Sequence, residues 1–422
     1  MDNATLLERR NRFFGVGSTL FYKEPIQLVR GEGAIVYDAE GREYIDMYNN
    51  VPCVGHAHPH VVEAMHKQAS TLNVHSRYLH EDIVRLAERF TQLHGAQIES
   101  VVFACSGTEA NDVAMSMARI VTGGTGFICT NAAYHGNSEQ VMQLTHVSTD
   151  QTANPNVRSI PFPESFRSIV DGDEDECCAA YVEKVEEALS DFQNEGVKVA
   201  GLLMCSLMAN EGLPDIPTGF MARAADLVRA AGGVVIADEV QSGYCRSGAW
   251  WGYEVSGFEP DIVVAGKPMG NGLPLSACAA SNDLISRYRS KTRYFNTFAS
   301  SPLQAAAGNA VLDVIESEGL ADNVINVGSY LAAQLKEMTG SNSHFAEVRG
   351  HGLFLGLEWV KDKVANEPDR KGAIEMVNAL KENGCLASNA GAYGNIIKIR
   401  PPLVFQKSHA DRFLSAFQDL IL

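Results

Sequence analysis

The stretch Gly232-Gly233-Val234-Val235-Ile236-Ala237-Asp238-Glu239-Val240-Gln241 decides the fold, together with its sequel Pro260-Asp261-Ile262-Val263-Val264-Ala265-Gly266-Lys267. Each is a short apolar, β-branched run that opens after Gly or Pro-Asp and ends on a charged residue. Runs without polar alternation suit strands buried on both faces, which is the pattern of a parallel sheet covered by helices. The same texture recurs in VVFAC (101–105), GFICT (126–130) and VAGLLMC (199–205), with helical patterns between them. Intervening helices imply right-handed crossovers, so the reading is a mostly parallel α/β sheet.

Outward from this sheet, GAIVYDAEGREYIDM (33–47) reads as a hairpin around an Asp-x-x-Gly turn. HPHVVEAMHKQAS (58–70) enters a helix through its proline. EDIVRLAERFTQLH (81–94) places Ile83, Leu86, Ala87 and Phe90 on one helical face. Beyond about residue 303 the texture changes to a long helix (304–319), strands in 348–360, a charged helix (370–383) and a strand in 395–405. That half reads as a smaller α+β domain. The acidic run in 165–178 reads as a solvated loop or helix start.

With 422 residues the chain holds two or three domains, or one large domain with a satellite. Its formal charge of -17 argues against nucleic acid or an anionic membrane surface as partner. The 9 cysteines include no C-x-x-C, so neither a zinc ribbon nor a redox motif is written, and they read as small thiols of a reducing compartment. The first residues carry Asp2 and Glu8 in place of an apolar signal core, and no apolar run approaches a membrane span, so the expectation is a soluble cytoplasmic protein.

Ligands of an open parallel sheet bind outside the carboxyl ends of its strands. Three motifs lie there. Ser106-Gly107-Thr108-Glu109-Ala110-Asn111 opens a helix and offers backbone N–H groups and a hydroxyl to one phosphate; taken alone it serves equally as a helix cap. Asp238 ends a strand where a carboxylate needs a cation or donor beside it, or else caps a helix. Lys267 follows an apolar strand and precedes a Gly-rich turn, where desolvation lowers an amine's pKa; a lysine lying along the sheet edge is the plainer alternative. Together the three match the needs of pyridoxal phosphate: fixed donors for its phosphate, an acid for its ring nitrogen, an amine for its aldehyde. His56, His58 and His60 alternate but lack an acidic or sulfur ligand nearby in sequence, and no metal site is read from them. Trp250-Trp251 reads as packing.

The order and separation of these blocks resemble the class III aminotransferases of pyridoxal-phosphate fold type I over nearly the whole chain. The resemblance rests on the SGTEAN turn, Tyr134-His135-Gly136, Asp238-Glu239-Val240-Gln241-Ser242-Gly243 with Arg246, Lys267, and Asn296-Thr297-Phe298 before Ser301-Pro302-Leu303. It implies a mostly parallel seven-stranded sheet sandwiched by helices, with a smaller domain built from the C-terminal part and an N-terminal segment. The implied division is 1–55, 56–305 and 306–422. It implies Lys267 as the Schiff-base lysine and then general base, Asp238 on the ring nitrogen and Gln241 on the phenolic oxygen. Tyr134 and Val240 would flank the ring, with His135 beside it. Ser106, Gly107 and Thr108 would hold the phosphate, joined by Thr297 of a neighbouring subunit in a homodimer with shared sites.

The implied activity is transfer of an amino group from an amine or amino acid to a 2-oxo acid such as pyruvate or 2-oxoglutarate. The substrate end departs from the usual family pattern. Lys398 stands where relatives carry a carboxylate-binding arginine, Arg400 follows two residues later, and a lysine is a point charge where a fork is expected. Ser206 and Leu207 replace the usual Glu-Pro, although Glu211 is kept. Asn49-Asn50, Ser76-Arg77-Tyr78-Leu79-His80 and Lys398 resemble a branch that includes phospholyases, whereas Gly272-Leu273-Pro274-Leu275-Ser276-Ala277 looks more like the transaminases; elimination of phosphate from an amino-alcohol phosphate is the alternative, with racemisation behind it. Tyr22, Tyr48, Asn50, Arg77 and Tyr78 are the candidates for the substrate pocket, beside Glu211, Lys398 and Arg400.

Overall fold

The computed structural model describes residues 2–145 and 154–421. Among the described residues fifteen strands are numbered in chain order. The N-terminal segment supplies β1 (Leu28–Glu32), β2 (Ile35–Asp38) and β3 (Glu43–Asp46). The central sheet takes β4 (Ser100–Ala104), β5 (Gly126–Thr130), β6 (Val157–Ile160), β7 (Val199–Cys205), β8 (Val234–Asp238), β9 (Ile262–Ala265) and β10 (Ser276–Ala280). Last come β11 (Phe345–His351), β12 (Phe354–Trp359), β13 (Cys385–Leu386), β14 (Ser388–Ala390) and β15 (Ile396–Ile399).

The central sheet has 7 strands in the order β4-β10-β9-β8-β7-β5-β6. All its pairings are parallel except those of β10, which runs antiparallel to both β4 and β9. The five runs read from the sequence are strands here. β6 and β10 are additions: VRSI is half-polar at an edge, and SACAA is all small, so neither carries a β-branched apolar run. Register places the chemistry. Cys205 pairs with Asp238 and Asp238 with Val264, so the ends of β7, β8 and β9 lie side by side and Lys267 follows two residues past Ala265.

Helices cover both faces. The helix Gly107–Thr122 buries Ala110, Val113, Ala114, Met117 and Ala118 against the sheet, and Phe220–Ala230 covers the other side. The acidic run is a helix start: Asp173 caps Glu174–Asn194 with a reciprocal bond to Glu176. The smaller domain is an antiparallel sheet β11-β12-β15-β14. A third sheet joins the hairpin β2–β3 to β13, which pairs parallel with β3. His56, His58 and His60 reach three different carboxylates, those of Asp46, Glu318 and Asp313. Among the described residues no helix is long and apolar enough to cross a membrane.

Trp251 is fully buried and donates from its indole nitrogen to the carbonyl of Leu93 at 2.8 Å. His94 stacks on it with ring centroids 4.1 Å apart, and its Nδ1 lies 3.0 Å from the Tyr253 hydroxyl. Burial lowers the His94 pKa from 6.5 to about 3. The unfolded chain therefore binds a proton that the native state refuses, and stability present above pH 6.5 is lost as the pH falls toward the folded value. Chemical denaturation as a function of pH should show this. The wild type should lose about 1.4 kcal/mol per pH unit more than His94→Phe across that window. Equal slopes would remove His94 from the acid response.

Candidate active site

A cavity of about 310 Å³ opens at the carboxyl edge of the central sheet. Ser106, Gly107, Thr108, Tyr134, His135, Asp238, Val240, Gln241 and Lys267 all line it, so the structure gathers nearly every residue assigned to the cofactor. Thr297 is exposed and lies outside this cavity.

At one end, Ser106 caps the helix Gly107–Thr122, its hydroxyl accepting from the Glu109 N–H at 3.2 Å. The N–H groups of Gly107 and Thr108 are in the first turn and have no intrahelical acceptor. Cap and anion cradle coexist here. A methyl group added at Gly107 would come within 3.0 Å of both Val240 methyls, so glycine is what lets the helix end approach Val240. Gly136, at φ +149°, passes equally close to Thr108.

The next pair of residues diverges. Asp238 faces the cavity while Glu239 turns to the opposite side, as successive residues of an extended chain do. Glu239 accepts from the N–H groups of Gly252 and Tyr253 and from the hydroxyls of Ser242 and Ser206. Ser206, one of the departures from the usual family pattern, is thus satisfied by a buried acid. Asp238 is held from three sides: His135 Nδ1 at 2.7 Å, Asn111 Nδ2 at 3.1 Å and the Val240 N–H at 3.1 Å. Asn111 also donates to the His135 carbonyl at 2.8 Å. Its role went unassigned in the sequence, although it lies one turn beyond Thr108 in the same motif.

Lys267 has no hydrogen-bond or ion-pair partner among the described residues. Burial lowers the pKa of its amine, the Arg400 charge lowers it further, and Asp238 opposes both. A free helix N-terminus, a carboxylate held by three donors and an unpaired buried amine line one cavity. They fit a group with a phosphate, a protonated ring nitrogen and an aldehyde.

The residues suggested for substrate do not line this cavity. Tyr22 donates to the Ala387 carbonyl at 2.8 Å, and the exposed Arg77 lies 4.3 Å over the Phe295 ring. Glu211 is buried, accepting from the Thr130 hydroxyl and from the Asn210 N–H at 3.1 Å. Arg400 is buried and engaged, donating from Nε to the Tyr48 carbonyl at 2.8 Å and from Nη1 to Gln241 Oε1, with the Tyr48 ring 4.2 Å away. Lys398 is buried with no hydrogen-bond or ion-pair partner among the described residues, 5.8 Å over the Phe354 ring. Burial holds its amine well below the usual lysine range, Arg400 and Lys267 push the same way, and Glu211 opposes them. Cys205, Asn210, Leu273 and Pro274 also line the cavity, although the sequence reading assigned none of them a role.

Fold and site together define a fold-type I pyridoxal-phosphate enzyme. The class-III aminotransferase family profile matches residues 21–421, and the chain belongs to that family. Pyridoxal 5'-phosphate is accordingly its cofactor. The chain is 36% identical over 433 residues to a Drosophila melanogaster protein described as alanine--glyoxylate aminotransferase 2-like, covering 100% of this chain and 87% of that one. It is 33% identical to the ethanolamine-phosphate phospho-lyase homolog 1 of Caenorhabditis elegans, covering 99% and 93%. Among solved structures, a phospholyase from Arthrobacter in complex with phosphoethanolamine superposes with a TM-score of 0.96 at 36% identity, covering 99% of each chain.

Proposed function

We propose that this enzyme eliminates phosphate from an amino-alcohol phosphate, releasing a carbonyl compound, ammonia and inorganic phosphate with uptake of one water. The observation that carries this reading is the engagement of Arg400. Its guanidinium lies outside the cavity lining and gives N–H groups to Tyr48 and Gln241, and the position of the usual fork is a lysine. A planar carboxylate is best met by an arginine fork, whereas a phosphate can also be bound by a lysine's point charge. The likeness to the Arthrobacter phospholyase supports the same reading.

Ser106, Gly107 and Thr108 would hold the cofactor's phosphate, Asp238 its ring nitrogen and Lys267 its aldehyde carbon, between Tyr134 and Val240. Pyridoxal phosphate, when bound, supplies an electron sink that acidifies the hydrogen on the carbon bearing the substrate nitrogen. Lys267, favoured in its neutral form by burial, takes that proton, and the neighbouring C–O bond breaks with its electron pair leaving on phosphate. His135 and Asn111 keep the Asp238 carboxylate aimed into the cavity. Lys398, buried outside the cavity lining and within electrostatic reach of Lys267, is the point charge that favours the departing phosphate. The homodimer belongs to this proposal: Thr297 is exposed, and Tyr78, Leu79 and Phe298 stand 62%, 101% and 67% exposed in a single chain.

The test is phosphate release from O-phosphoethanolamine without any keto acid. Phosphate and ammonia should appear in equal amounts, and Lys398→Met should raise KM about tenfold or more with a smaller change in kcat. No phosphate release under these conditions would sink the elimination reading. The second reading is amino transfer from an amine to a 2-oxo acid, favoured by the aminotransferase-named Drosophila relative. It predicts amine-dependent conversion of the cofactor and consumption of pyruvate or 2-oxoglutarate.

A further inference from the structure

Arg400 does not line the cavity, and its guanidinium is tied to two other parts of the chain. Its backbone N–H bonds the Met47 carbonyl at 2.8 Å, its Nε the Tyr48 carbonyl, and its Nη1 the side chain of Gln241. A guanidinium has no acceptor atom. The Gln241 atom facing it must therefore be the amide oxygen, which fixes the amide's orientation. Gln241 Nε2 then donates to Asn210 Oδ1 at 3.2 Å, and Asn210 Nδ2 donates to the Tyr134 carbonyl at 3.3 Å. One N–H of Gln241 is left without a partner, on a side chain that lines the cavity.

We infer that Arg400 is a positioning residue: it locks Gln241 so that an amide N–H is presented to the cavity, and it makes no contact with substrate. The lock joins the N-terminal segment (Met47, Tyr48), the end of β15 and the loop after β8, so the donor is aimed only once all three have assembled. A neutral amide left free would present either its oxygen or its nitrogen. An oxygen turned toward an anionic atom of the cofactor repels it.

The test is a double-mutant cycle on the holoenzyme, read from the pH midpoint of the bound cofactor's visible band. The titratable groups around that chromophore are Asp238, Lys398, Arg400, Glu211 and the Cys205 thiol, which burial keeps protonated. An aimed donor and a nearby cation both favour the deprotonated chromophore. Gln241→Met and Arg400→Met should each move the midpoint to higher pH, by roughly tenfold in proton affinity. Adding Gln241→Met to Arg400→Met should change nothing more, because the lock is already broken. KM values for substrates with and without a carboxylate should shift together, by less than about threefold.

Additive shifts in the double variant would overturn the inference. So would Arg400→Met raising KM tenfold for carboxylates alone while the midpoint stays put. Should Arg400→Met fail to fold, Gln241→Glu carries the test: both oxygens face Arg400 and no donor remains, so the midpoint should still rise while the thermal midpoint holds. An unmoved midpoint in that variant rejects the lock. The spectroscopic readout does not depend on which reaction the enzyme performs, so failure of the elimination reading leaves this test intact.

Discussion

Lys267→Ala is expected to lower kcat by about ten-thousand-fold or more. The side chain sits two residues beyond the end of β9, and no other unpaired amine lines the cavity among the described residues. On the proposed mechanism it both receives the cofactor's aldehyde and carries the proton, so its loss removes two functions at once. Arginine in its place keeps a charge but holds its proton too tightly to act as a base. A small primary amine added to Lys267→Ala should restore part of the rate, with an optimum that follows the added amine's pKa. A variant that keeps more than about one-hundredth of the wild-type kcat would shift the base to another residue.

Asp238→Ala is expected to be nearly as severe, with kcat falling about a thousandfold. The carboxylate accepts from His135, Asn111 and the Val240 N–H, so removing it strands two buried side-chain donors and costs about 1–3 kcal/mol for each. Loss of stability and loss of rate need separating. Asp238→Asn keeps the volume and one acceptor oxygen, so its melting temperature should recover most of the difference. Its kcat should stay low, because a neutral amide cannot hold a proton on the ring nitrogen. Recovery of both quantities in Asp238→Asn would reduce Asp238 to a structural role.

Much of this site is legible in the sequence because its residues follow apolar strands directly. Lys267, Asp238 and the turn at Ser106 are fixed by local pattern plus the rule that ligands gather at strand ends. The central strands are equally plain, since VVIA and IVVA fit little except a doubly covered sheet. β10 was hidden because its small side chains carry no period. The substrate end was not legible for a different reason. Alternation along β15 puts Lys398 and Arg400 on one face, yet their duties depend on groups far away in the chain. Arg400 meets Gln241 across 159 positions and Tyr48 across 352. Nothing local distinguishes a guanidinium that waits for a ligand from one that holds a neighbouring side chain. Asn111 lay in plain view inside a quoted motif, but its service to Asp238 needed the helix Gly107–Thr122 to pack over the end of β8.

The parallel pairing of β3 with β13 has a consequence for biosynthesis. Ile45 meets Cys385 and Asp46 meets Leu386, so the early hairpin has no partner for its outer edge until nearly the whole polypeptide has been translated. The central sheet, complete by Ala280, can consolidate on the ribosome while that edge waits unclosed. A nascent chain stalled before residue 385 would thus own a finished floor and an unlatched doorway, exposing a sticky border that chaperones would have to guard.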